Sequence, residues 1–146
     1  HENGLLNREQ FFKDGQTDGR DTLWNEDGTP IDLITWKDGE MHGEYINWYS
    51  NGNKSCEHHY KNGKPHGVCT TWHENGQKET HSNYEYGRRE GKTMGWYENG
   101  QIQYEDNYED GLLNGYSVSF RENGSKRKEE NYKHGFCWNR TNHVEG

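Results

Sequence analysis

Alanine is absent from this 146-residue chain, and Leu, Ile, Val and Phe together supply only 17 residues. So few aliphatic side chains cannot offset the entropy of ordering a conventional globule. A helical fold is excluded as well, because zero alanine, 19 glycines and 16 asparagines make poor helix text. No apolar run reaches 18 residues, so the sequence contains no transmembrane helix. No signal peptide is visible and the chain starts at His1, so it reads as a processed or excerpted piece of something longer. Basic residues are in deficit: 17 Lys and Arg stand against 25 Asp and Glu, a net charge of -8. That balance disfavours nucleic acid and anionic membranes and suits a basic protein partner. The three cysteines (Cys56, Cys69, Cys137) are an odd number and no disulfide framework. They lean towards a reducing, cytoplasmic setting without excluding the cell surface.

What the chain does contain is aromatic residues, 14% of the total, in which disordered chains are poor. It also contains a period. Gly4, Gly28, Gly52, Gly76, Gly100 and Gly124 are 24 residues apart, as are Gly15, Gly39, Gly63, Gly87, Gly111 and Gly135. A third set, Gly19, Gly43, Gly67, Gly91 and Gly115, keeps the step and lapses only at Asn139. One aromatic column runs Phe12, Trp36, Tyr60, Tyr84, Tyr108, Tyr132, and a second runs Trp24, Trp48, Trp72, Trp96, Phe120 before ending at Val144. Six copies therefore follow one another without insertion, over residues 1–24, 25–48, 49–72, 73–96, 97–120 and 121–144, as one repeat domain.

Each copy reads as two strands and two turns. Asn or Asp stands before the first glycine, a strong signal for a two-residue type I′ hairpin turn. The second glycine opens a longer turn that closes at the third. Taking position 12 of the copy as inward puts positions 22 and 24 on the same face, with the small or polar position 23 on the other. The expected fold is all-β: an elongated, solenoid-like, single-layer antiparallel sheet of six 24-residue hairpin repeats. Its core would be the two aromatic columns, each ring stacking on its equivalent in the next copy. Neighbouring strands ~4.8 Å apart would make a twisted ribbon on the order of 60 Å long. The last copy loses the third glycine and has Phe136, Cys137 and Trp138 in its turn, which reads as a cap or as divergence, with a partner-binding edge as the alternative.

The segments Trp96-Tyr97-Glu98-Asn99-Gly100, Tyr49-Ser50-Asn51-Gly52, His73-Glu74-Asn75-Gly76 and Tyr60-Lys61-Asn62-Gly63 through Gly67 resemble the bacterial MORN-repeat variant. The resemblance covers essentially the whole chain. The departures are Tyr86 in the second turn of copy four, Gly95 beside the tryptophan column, and the altered last copy. The resemblance implies a hairpin solenoid with no shared catalytic motif. It further implies a YwqK-like antitoxin or immunity protein set against a secreted toxin. Eukaryotic relatives imply a membrane-associated scaffold instead.

A search for chemistry finds little. His58-His59, His66 and His73 lie near Cys56 and Cys69, but adjacent residues face opposite ways along a strand and no zinc-ligand spacing occurs. No metal, cofactor or catalytic residue is expected, and the chain reads as a non-enzyme. Carboxylates recur at Glu9, Glu57, Glu105 and Glu129, where they would project a negative stripe able to hold a cationic surface or simply keep the sheet solvated. Alternation also places Tyr45, Tyr49 and Tyr97 outside, as candidate contacts for a partner or as cross-strand pairs. The function expected is a non-enzymatic protein-binding module, an antitoxin or immunity protein that covers a basic toxin. The alternatives are a spacer, adhesin or fibre that self-associates end to end, and a membrane scaffold.

Overall fold

The structure, a computed structural model, describes residues 7–144, so Gly4 lies outside the described residues. The described residues form strands and turns and no helix. Fourteen strands make one antiparallel sheet that does not close into a barrel. Five long strands, Pro30–Lys37, Glu40–Trp48, Lys54–Lys61, Lys64–Trp72 and Lys78–Glu85, neighbour one another in chain order. Phe12–Lys13 and Gln16–Thr17 form a separate two-stranded ribbon. The expected all-β, single-layer hairpin repeat is what the chain adopts.

The two turns are the reverse of the expectation. The type I′ turn sits at the second glycine: Asp14, Asp38, Asn62, Tyr86, Asp110 and His134 have φ of 46° to 50°, and the glycines after them 74° to 86°. Both central residues are thus left-handed, which matches the twist of the flanking strands. At the first glycine only the glycine has positive φ. There the Gly52 N–H bonds the Tyr49 carbonyl at 2.9 Å and the Tyr49 N–H bonds the Asn53 carbonyl at 2.8 Å. That pattern is a type I turn followed by a glycine bulge. The third glycine closes no turn. Gly43 and Gly67 lie inside strands Glu40–Trp48 and Lys64–Trp72, where the pairing register shifts.

Register also separates the two aromatic columns. Residues paired directly across strands share a face, and faces alternate along a strand. Trp36 pairs with Gly19, Ile34 with Asp21 and Asp32 with Leu23, so position 12 shares its face with positions 19, 21 and 23. Thr22 pairs with Leu33 and lies on the other face, and so does Trp24. The single apolar face is therefore corrected to two, one per column, because the strand that leads from position 19 to position 24 changes parity between them. Core burial is correspondingly thin. Among described apolar side chains only those of Cys69 and Val118 are buried, and the other buried residues are Asp21, Thr70, Ser82, Thr93, Gly95 and Glu130. Trp24, Trp36, Trp48, Tyr60, Trp72, Tyr84, Trp96, Tyr108, Phe120 and Tyr132 are all half-buried. Phe12 is not core at all: it is 64% exposed, since its short strand pairs only within the small ribbon.

Hydrogen bonds between turns do much of the work that a core would do elsewhere. On the type I′ edge, the N–H of Gly39, Gly63, Gly87, Gly111 and Gly135 each bonds a carbonyl of the preceding copy: Thr17, Met41, Pro65, Arg89 and Leu113. Beside it, the N–H of position 14 is accepted by the side chain at position 18 of the preceding copy. Asp18 accepts from Asp38 at 3.2 Å, His42 from Asn62 and His66 from Tyr86 at 3.4 Å, Glu90 from Asp110 at 3.0 Å, and Asn114 from His134 at 3.1 Å. On the other edge, Asn51, Asn75 and Asn99 donate to the carbonyls of Glu74, Glu98 and Glu122 in the next copy. Their side-chain oxygens meanwhile hold their own turns by accepting from Asn53, Gln77 and Gln101. Asp27, in the same column, accepts from Thr29 but has no N–H to donate.

Two stability predictions follow from this geometry. Gly95 is buried with an ordinary backbone, and a Cβ there would lie 2.2 Å from Cε1 of Tyr104, the residue it pairs with across the strands. Gly95→Ala should therefore lower stability by about 1–3 kcal/mol in chemical denaturation, as overpacking does, and Tyr104→Ala should remove most of that penalty. Asp27→Asn should add a rung to the ladder and Asn75→Asp should remove one, raising and lowering the denaturation midpoint by about 0.5–1.5 kcal/mol equivalent.

Candidate functional site

The edges are largely occupied by repeat-to-repeat bonding, and this claims two of the expected contact residues. Tyr49 donates its hydroxyl to the Trp72 carbonyl at 2.7 Å and Tyr97 donates to the Phe120 carbonyl at 2.9 Å. His73 Nε2 makes the equivalent bond to the Trp96 carbonyl at 2.8 Å. All three stand at the first position of their copies, so the column supplies a donor that ties one turn to the next. Tyr45 lies on the Trp36 face, edge-on to His58 (5.9 Å between centroids) and Tyr60 (6.4 Å). Burial pushes its hydroxyl up to about 12. Tyr45, Tyr49 and Tyr97 are thus half-buried, not outside as alternation suggested.

The acidic column lies on the tryptophan face and is largely neutralised where it stands. Glu57 pairs with Lys54 at 2.6 Å, Glu105 with Lys92 at 2.5 Å and Glu129 with Lys126 at 2.6 Å. Leu33 and His81 interrupt the column, and Glu9 is exposed at its end. Glu129 also accepts from the Tyr116 hydroxyl and contacts His143. The hydrogen bonds from Lys126, Tyr116 and His143, in that order, hold its carboxyl down at about 2. Asp21 is held below its ordinary range, chiefly by Arg8, which grips it through Nε at 2.8 Å and Nη2 at 2.6 Å. Burial would raise Glu130, but bonds from Lys128 and Arg140 together outweigh it and keep it low. Asp32 goes the other way, raised by burial.

The histidines and cysteines do not converge. His58 Nδ1 lies 3.4 Å from the Cys69 sulfur, and burial lowers the His58 pKa and raises the Cys69 thiol. His59 turns instead towards the Val68 carbonyl. Among the described residues no group of three or more His, Cys, Asp or Glu is arranged to hold a metal ion. The last copy does not shield its aromatics as a cap would: strand Phe136–Asn142 is exposed throughout, with Phe136 at 80% and Trp138 at 68%.

One cluster stands apart on the Trp36 face. Arg89 donates from Nε to the Tyr84 hydroxyl at 3.1 Å and from Nη1 to the Tyr108 hydroxyl at 3.3 Å, and its guanidinium lies 5.3 Å from the Tyr108 ring centre. The Tyr84 bond favours its charged form over the opposing effect of burial. Sequence reading missed Arg89 because Arg88-Arg89 looks like ordinary surface charge. The one available signal was its column, otherwise Thr17, Met41, Pro65, Leu113 and Cys137, in which it is the only charged residue.

Three segments, 41–62, 65–86 and 89–110, match the family model described as MORN repeat variant. Their starts repeat the 24-residue step found in the glycines. Each segment runs from the second strand of one copy, through the Asn-Gly turn, to the type I′ turn of the next. No curated protein matches the chain. The match is to a repeat unit, in keeping with the hairpin copies of the sheet.

The depressed carboxyls set a pH dependence. A group held below its unfolded value contributes stability above that value and loses it as pH falls through the folded one. For Glu129 the window runs from 4.5 down to about 2. The melting temperature should begin to fall below about pH 6.5, where buried His58 must take up a proton, and fall further through the Glu129 window, where Glu129→Gln should flatten part of the decline. A melting temperature that rose steadily on acidification would contradict these assignments.

Proposed function

We propose that this chain is a non-enzymatic protein-binding module of the antitoxin or immunity type, which covers the working surface of a cognate toxin. The observation that carries the reading is the distribution of polar side chains. The recurrent ones at the turns are used up in bonds between copies, while both broad faces stay open and lined with tyrosine and tryptophan. Such residues supply large, rigid contact area, and a long sheet offers it over a wide span. The net charge of -8 supports a partner of basic character, attracted by the overall field. A cytoplasmic meeting with that partner agrees with the reduced cysteines.

A second reading, end-to-end assembly, is favoured by the exposed aromatics of strand Phe136–Asn142 and by Phe11 and Phe12 at the opposite end. Light scattering across a wide concentration range separates it from the first: a protein that stays monomeric is no fibre. Affinity purification from the source cell should return one basic protein encoded beside this chain, and purified toxin activity should fall when the two are mixed. Recovery of no such partner under conditions that keep the chain folded overturns the antitoxin reading.

A further inference from the structure

We propose that Arg89, set between Tyr84 and Tyr108, is a receptor for one carboxylate presented by a protein partner. The proposal rests on the binding-module reading and gives it a face and a chemistry.

The first ground is the missing counter-ion. Arg8, Arg20, Arg88 and Arg140 each meet a carboxylate: Asp21, Glu44, Asp110 and Glu130. Arg89 is half-buried, yet its partners among the described residues are two neutral phenols. A guanidinium has five N–H donors in a rigid fork, and the two tyrosines take two of them. A half-buried cation without an opposing charge costs stability unless something else meets it. The planar fork fits a carboxylate with two parallel bonds.

The second ground is that the fold does not call for a cation there. Every other copy fills this position with an uncharged residue, so stacking proceeds without it. The tyrosines on either side instead hold the fork in place. Tyr84 pairs directly with Arg89 across the strands, and Tyr108 receives both a hydrogen bond and the cationic face. Arginine braced by tyrosines is the composition of an interface hot spot.

The third ground selects a protein over a small anion. Arg89 lies on the open face of a single-layer sheet, whereas small-molecule sites enclose most of their ligand. The flanking charge adds register. Copy five, on one side of Arg89, carries five carboxylates with no basic residue, whereas copy three, on the other, carries Glu57 against Lys54, Lys61 and Lys64. A partner surface that sets an acidic side chain beside a basic patch would match Arg89 and copy five together, and wrong registers would set like charges against each other.

The test uses the whole chain labelled for NMR, with a blocked tetraglutamate peptide, a blocked tetralysine peptide and inorganic phosphate as probes. Tetraglutamate should shift the Arg89 Nε–H and the Tyr84 and Tyr108 ring signals saturably. Arg89→Met should abolish the effect and Arg89→Lys should weaken binding roughly fivefold or more, because the fork is lost. Tyr84→Phe and Tyr108→Phe, which keep the ring, should weaken it less. Arg89→Met should melt within a few degrees of the parent, since removing an unopposed half-buried charge offsets the two tyrosine hydrogen bonds that are lost. A large drop in melting temperature with no tetraglutamate response would make Arg89 a structural brace and overturn the proposal. Saturable shifts that survive Arg89→Met, or an equal response to phosphate, would overturn it as well. Tetralysine binding elsewhere on the sheet, with no tetraglutamate response, would overturn this proposal alone and leave the wider binding-module reading standing.

Discussion

The tight turns of copies two to six are closed from outside. A type I′ turn places two consecutive residues in the left-handed region, and their N–H groups point away from the turn's own hairpin. In copies two to six the glycine N–H finds a carbonyl of the preceding copy, and the N–H before it finds that copy's position-18 side chain. An aspartate, two histidines, a glutamate and an asparagine fill position 18 in copies one to five, and they share only the ability to accept a hydrogen bond. On the opposite edge, asparagine joins turn to turn through its donor and acceptor ends at once. A turn without its neighbour would leave these groups to water, so the copies are conditional on one another.

That dependence explains how so little apolar burial suffices. Two buried apolar residues among those described are not a core in the usual sense. Half-buried aromatics on both faces shield the ladder bonds, and the edges are tied by polar groups that recur because the turns recur. The polar, alanine-free composition is therefore what this architecture uses, not a symptom of disorder. It also leaves the two faces as the surfaces open to variation between copies, which is where Arg89 and the Tyr45–His58–Tyr60 cluster depart from the repeat.

The period, the strand class and the single-layer sheet were legible in the sequence because glycine columns report turns directly. Turn type was not, since Asn-Gly suits both a type I′ turn and a type I turn with a bulge. Only the backbone shows that Asn51 keeps ordinary φ while Asn62 and Tyr86 do not. The faces were misread for a related reason: position 12 and position 24 lie on different strands, and only the pairing register says whether they share a side. Tyr49 and Tyr97 read as exposed because alternation ignores a turn residue's reach to a carbonyl of the next turn. The donor at position 1 and the acceptor at position 18 could have been found by comparing hydrogen-bonding capacity down each column, where residue names differ and chemistry does not.

The claim that turns are held by their neighbours is open to amide hydrogen exchange on the folded protein. Gly63, Gly87 and Gly111 should exchange as slowly as the mid-strand amides around them, although they sit in exposed turns. Their protection should collapse together when one copy is destabilised. Exchange of these glycines at the rate of open loops, while the strands stay protected, would show that the turns close by themselves and that the ladder does not hold the copies together.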